Sequence, residues 1–173
     1  MSPTAGQTVG PFFGYALAFP RDHELVAPDA PGAVVLHGRV YDGQGDPVPD
    51  AILELWQADP DGDTVQQQGS LRRTDAFTGF GRASTDAEGR YAFTTVVPGA
   101  PFFAITVFAR GLLNRLFTRA YLPDDAGDPF LATVDADRRS TLLTTQDETG
   151  YVFDVHLQGD GETVFLSYPR HEA

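Results

Sequence analysis

The chain has 173 residues and a formal net charge of −12, from 12 Lys and Arg against 24 Asp and Glu. So acidic a surface repels nucleic-acid backbones and anionic lipid headgroups, which excludes both as partners. It has no cysteine, and with that disulfides, thiolate nucleophiles and thiolate metal sites are excluded too. The length suits one domain, which buries roughly 70% of its unfolded surface, and 13 Phe and 6 Tyr are available to fill the core. No apolar run reaches the ~18 residues of a membrane span. Residues 1–6 have neither the basic region nor the apolar run of a secretory leader, so the expected location is cytoplasmic.

Residues 1–32 read as an extended N-terminal arm. Between Ser2 and Tyr15 there is no strand alternation, and Pro3, Gly6, Gly10, Pro11 and Gly14 interrupt the chain. Such a segment orders poorly alone, so a partner chain is expected to hold it, with Phe12 and Phe13 as apolar anchors. Residues 33–42 are rich in β-branched side chains and predict a strand. Residues 42–50 are dense in Gly, Pro and Asp and predict a turn; residues 51–59 predict the next strand. Residues 59–82 have almost no apolar periodicity and read as a long functional or interaction loop. Further strands are expected over 89–96, 102–109, 116–122, 151–158 and 162–168. Helical content of one or two turns is expected only within 128–145. Many short strands punctuated by Gly and Pro turns predict an all-β fold. The expectation is one antiparallel β-sandwich domain of about eight strands over residues 33–173.

Residues 101–109 are the most apolar segment, with Thr106 the one polar side chain, and Arg110-Gly111 follows directly. This strand offers no imidazole, phenol or carboxylate, hence no metal ligand and no general base. His23, His37, His156 and His171 are scattered, without ligand spacing. The acidic groups at Asp59-Pro60-Asp61 and Asp124-Asp125 read as solvated surface. No Ser-His-Asp arrangement, phosphate-binding glycine loop or paired catalytic carboxylate is recognisable.

Several motifs, in order, carry a resemblance: Gln7-Thr8-Val9-Gly10-Pro11-Phe12, Gly38-Arg39-Val40-Tyr41-Asp42-Gly43, Leu53-Glu54-Leu55-Trp56-Gln57-Ala58-Asp59, Phe80-Gly81-Arg82, Phe108-Ala109-Arg110-Gly111, Leu116-Phe117-Thr118-Arg119-Ala120-Tyr121 and Gly161-Glu162-Thr163-Val164-Phe165. Together they resemble the intradiol ring-cleaving dioxygenases over nearly the whole chain. Catalytic chains of that family hold Fe(III) through two Tyr and two His, hard phenolate donors that favour the ferric state. The resemblance sets Phe102 and Ala104 where the histidines belong and places the first Tyr at about Thr64. It finds no second Tyr between Val96 and Pro101.

It therefore implies an alpha-type subunit that binds no metal, paired with a beta-type subunit that carries Fe(III). The implied reaction opens 3,4-dihydroxybenzoate (protocatechuate) with O2 to 3-carboxy-cis,cis-muconate. It further implies that Arg110 contributes in trans to catalysis on the beta subunit, and that Thr8, Gly10 and Pro11 line that substrate pocket. Two other readings stay open at this point: a single-chain catechol-type dioxygenase, and a transthyretin-like binding or scaffolding module.

Overall fold

The computed structural model describes residues 17–65, 76–123 and 128–168. The expectations for Thr8, Gly10, Pro11, Phe12, Phe13, Asp124, Asp125 and His171 lie outside the described residues.

The described residues hold nine strands: β1 (Ala33–Tyr41), β2 (Ile52–Trp56), β3 (Phe80–Ser84), β4 (Arg90–Val96), β5 (Phe102–Phe108), β6 (Leu116–Tyr121), β7 (Thr145–Gln146), β8 (Tyr151–Val152) and β9 (Val155–His156). One sheet runs β4-β1-β8-β7, with β9 also on β1; the other runs β3-β2-β5-β6. The period-2 pattern of each strand sets which face turns inward. Leu36 and Val40 of β1, Phe93 of β4, Leu53 and Leu55 of β2, and Phe103, Ile105 and Val107 of β5 are buried in one cluster between the sheets.

The pairings are antiparallel except where β1 runs parallel to β8 and to β9. Gly38 makes that crossing possible: a Cβ there would collide with the carbonyl oxygen of Phe153, between β8 and β9. The Phe153 amide in turn donates to the His37 carbonyl at 2.8 Å.

Gln57, just past β2, ties the two sheets together. Its amide nitrogen donates to the Val96 carbonyl at 2.9 Å, and the Thr95 hydroxyl donates to its amide oxygen at 2.6 Å. Asp59 organises the turn that follows, accepting from the backbone amides of Asp61 (3.0 Å) and Asp63 (2.9 Å).

Three differences from the sequence expectation have physical causes. First, β3 lies at the end of the stretch read as a loop. Its five residues include Gly81 and Arg82, too few apolar side chains for the periodicity to register, yet Arg82 sits opposite Glu54 and pairs with it at 2.6 Å. Second, residues 162–168 form no strand. They meet β6 through a single bridge between Phe117 and Leu166, the Thr118 hydroxyl donates to the Val164 carbonyl at 2.9 Å, and Tyr168 packs edge-on against Phe117. Third, residues 151–158 split into two strands, because the Asp154 carboxylate turns aside to accept the Arg39 amide at 2.8 Å.

Among the described residues, helical structure is one five-residue helix, α1 (Pro129–Thr133), capped by Asp128, and a 3-10 turn over Arg139–Leu142. Within the segment read as arm, residues 22–26 pack on the sandwich. Leu25 is fully buried and its amide donates to Thr94 at 2.8 Å, and Arg82 donates its amide to the Asp22 carbonyl at 2.7 Å.

Candidate functional site

Strand β5 turns Phe103, Ile105 and Val107 into the core, so Phe102, Ala104 and Thr106 face the other side of the sheet. Ala104 sits opposite Trp56 of β2 and Arg119 of β6. These residues, with Phe117 and Tyr168, line a cleft of about 240 Å³. Trp56 remains 47% exposed at its edge.

The Arg119 guanidinium fills the end of the cleft nearest Phe102. It lies 4.1 Å from the Phe102 ring centre and 5.1 Å from that of Phe130, a cation held between two aromatic faces. Its Nη1 donates to the Tyr121 hydroxyl at 3.1 Å and to the Asp128 carboxylate at 3.4 Å. Burial pushes the Tyr121 phenol above its ordinary value, against the opposing pull of Arg119, so this tyrosine stays protonated.

This donor set does not fit a tyrosinate–imidazole ferric centre. Phe102 and Ala104 bring no lone pair, and Thr64 is an exposed residue in the turn beyond β2. The charge beside them is a guanidinium, which repels a trivalent cation. Among the described residues, no group of three or more His, Asp or Glu side chains lies close enough together to hold a metal ion.

Arg110 stands elsewhere. It follows β5 at the end opposite Phe102, in a turn that Gly111 allows by adopting φ 91°. It lines a second cleft, of about 440 Å³, with Pro47, Pro49, Leu112 and Gln158. Its Nε lies 3.7 Å from the Asp50 carboxylate, and its side chain is 48% exposed. Thr8, Gly10 and Pro11 lie outside the described residues.

Sequence reasoning singled out Arg110 but missed Asp50, which lies in a turn 60 positions earlier, and the Phe102–Arg119–Asp128 cluster, which gathers three elements. The described histidines stay apart. His37 pairs with Asp147 at 3.2 Å, and His156 stacks on Tyr41 at 4.9 Å between ring centres. Backbone amides of Gly150 and Thr149, aided by His37, hold the Asp147 carboxyl below its ordinary value. No helix among the described residues is long and apolar enough to cross a membrane.

A family model described as Dioxygenase matches residues 9–146. The alpha chain of protocatechuate 3,4-dioxygenase from Burkholderia cepacia is 39% identical over 194 residues, covering 96% of this chain and 98% of that one. The beta chain of the same enzyme from Burkholderia cepacia is 34% identical over 184 residues, covering 88% of this chain and 78% of that one. Among solved structures, the dioxygenase domain of a dioxygenase–carbohydrate-binding fusion from Streptomyces sp. SirexAA-E superposes with a TM-score of 0.56 at 27% identity, covering 91% of this chain and 99% of that one. The two-sheet sandwich, the order of its motifs and the end-to-end similarity to an alpha chain agree: the protein belongs to the intradiol ring-cleaving dioxygenase family.

Proposed function

We propose that this chain is the iron-free alpha subunit of a protocatechuate 3,4-dioxygenase, and that a beta subunit of the same fold holds the Fe(III). The observation that carries this reading is the cleft on β5. Where a ferric site needs oxygen and nitrogen donors, the chain presents Phe102, Ala104 and a paired guanidinium. Similarity along its full length to an alpha chain points the same way.

The reaction adds both atoms of O2 across the bond between the two hydroxyl-bearing carbons of 3,4-dihydroxybenzoate and yields 3-carboxy-cis,cis-muconate. The iron of the partner supplies the activation of the bound catecholate. This chain supplies binding and charge. Arg110 is always protonated, and its planar fork matches a carboxylate or a developing oxyanion. It stands half-exposed on a turn, where an adjoining subunit can meet it. Thr8, Gly10 and Pro11 line the same pocket from the arm: Gly10 lets the backbone approach closely and Pro11 provides a stiff apolar wall. Leu113, 99% exposed on the turn that carries Arg110, is an apolar contact for the partner. An acidic, cysteine-free chain suits a cytoplasmic enzyme.

The test is purification of this chain alone and co-expressed with its beta subunit. Expected are a colourless, inactive single chain and an α/β heteromer with iron stoichiometric to beta. Ferric iron bound stoichiometrically to the isolated chain, with its tyrosinate charge-transfer absorption, overturns the reading. A stable chain that ignores the beta subunit returns it to a binding or scaffolding module.

A further inference from the structure

Arg110 is held from behind by an unusual residue. Asp50 adopts φ 61°, the left-handed conformation that Gly and Asn ordinarily fill. Thr85 fixes the backbone around it: its hydroxyl accepts the Ala51 amide at 2.8 Å and donates to the Val48 carbonyl at 2.8 Å. Its own amide donates to the Ala51 carbonyl at 2.9 Å. The Asp50 side chain is 12% exposed, and its Oδ2, the oxygen facing Arg110 Nε, is buried. The carboxylate that lines the Arg110 cleft, Asp42, is committed to its own turn, where its Oδ1 accepts the Gln44 amide at 2.8 Å and the Asp46 amide at 2.9 Å. Asp50 is thus a largely buried anion on a turn pinned by Thr85, its Oδ2 3.7 Å from the one nitrogen of Arg110 that lies within the guanidinium's stem.

We infer that Asp50 is a positioning residue for Arg110: by pairing with Nε it fixes the plane of the guanidinium, and with it the direction of the Nη1–Nη2 edge toward the adjoining subunit. This inference rests on the in-trans role of Arg110 proposed above. The logic is that of any planar fork. A half-exposed arginine has four side-chain torsions to lose on engaging an anion, and an anion already placed at Nε removes much of that freedom beforehand. Holding the fork by Nε also leaves its geometry, and not only its charge, matched to the substrate or to the charged ring-opening intermediate. At 3.7 Å the contact is an ion pair rather than a hydrogen bond, and its strength grows where water is excluded from it.

The test uses the reconstituted α/β holoenzyme with Asp50→Asn, Arg110→Ala and the two combined. Asparagine keeps the volume and tolerates the left-handed backbone, but removes the charge. Expected is a five- to twentyfold fall in kcat/KM for Asp50→Asn, with iron content, heteromer elution and Tm unchanged. The double variant should be no slower than Arg110→Ala alone, because positioning has nothing to act on once the guanidinium is gone. If Asp50→Asn disturbs assembly, Asp50→Gly, which relaxes the backbone at that position, carries the same kinetic comparison. If Arg110→Ala is slow while both Asp50 variants match wild type, or if the two losses multiply, the positioning role is overturned and the in-trans role of Arg110 stands. If Arg110→Ala itself matches wild type, the in-trans role falls, and positioning with it.

Discussion

The guanidinium of Arg119 stacks 4.1 Å from the ring centre of Phe102, and the two come from adjacent strands, β6 and β5, two register positions apart. The resemblance read from the sequence sets Phe102 and Ala104 where a catalytic chain of this family would carry its two imidazoles. Here a fixed organic cation occupies the cleft, and its charge is balanced by Asp128 at 3.4 Å. The cleft is therefore a packed element of the fold.

Installing histidines alone should not reverse this. With Phe102→His and Ala104→His together, the strand presents two imidazoles, but Arg119 stays in place and the neighbouring Tyr121 is kept protonated, its hydroxyl accepting from that guanidinium. The expected result is no stoichiometric iron by metal analysis and no tyrosinate charge-transfer band. Conversely, Arg119→Ala removes the cation between Phe102 and Phe130 and leaves the buried Asp128 carboxylate and Tyr121 hydroxyl short of a donor. That should cost about 1–3 kcal/mol in denaturant unfolding of the isolated chain. Full stability in that variant would show the cluster to be incidental.

Gly38 provides a separate check on the fold. A methyl group there runs into the Phe153 carbonyl, which belongs to backbone and cannot rotate away. Gly38→Ala should therefore push the β8–β9 segment off β1 and lower stability by about 1–3 kcal/mol. Hydrogen exchange should locate the loss at the Phe153 amide, which donates to His37 in the intact sheet. Protection at that amide equal to wild type would mean the crossing is more compliant than its geometry indicates.

The sandwich was legible because long, alternating strands declare themselves: β1, β2, β4, β5 and β6 all lie within the segments expected from sequence. β3 was not, because its pairing depends on Glu54 and Arg82 meeting across strands, and a single sequence does not show which residues face each other. Of the family motif Trp56-Gln57-Ala58-Asp59, the sequence suggested kinship but not purpose. The structure gives Gln57 the work of joining the two sheets and Asp59 that of closing a turn. Arg110 stood out as a cation directly after an apolar strand. Asp50 stayed hidden, since an Asp between two prolines and a strand reads as an ordinary turn residue until its backbone angle and its neighbour are known.

A pH signature follows from His23. A hydrogen bond to Asp22 raises its pKa above 6.5, burial opposes this, and the charges of Asp22 and Glu24 add to the rise. A histidine whose folded pKa exceeds its unfolded value stabilises the fold in its charged form. The contribution is complete below the unfolded value, near 6.5, and fades as pH climbs through the higher folded value. In Tm measurements across pH 5–9, wild type should therefore exceed His23→Gln most at the acidic end, with the gap closing toward alkaline pH. A gap that is constant, or widens with pH, would contradict this assignment. Because residues 22–26 dock on β4, the readout also reports how firmly the entry segment is attached.

The sharpest prediction concerns Arg110 itself. In the proposed arrangement the substrate carries a carboxylate and becomes more anionic on binding iron, so a guanidinium from the neighbouring chain would stabilise the charged states along the reaction more than the free substrate. Removing it should reduce the rate while sparing the metal, which lies on the other subunit in the proposed arrangement. In the iron-loaded heteromer, Arg110→Ala should lower kcat/KM by roughly tenfold to a hundredfold, equal to about 1.4–2.7 kcal/mol of transition-state stabilisation. Iron content and assembly should be unchanged. Arg110→Lys should recover only part of this, because an ammonium keeps the charge but not the planar fork that pairing with Asp50 orients. Adding guanidinium ion at millimolar concentration to the alanine variant should restore some activity and leave the lysine variant nearly unaffected. Wild-type kinetics for Arg110→Ala in a fully loaded heteromer would make the residue a surface partner of Asp50 and nothing more.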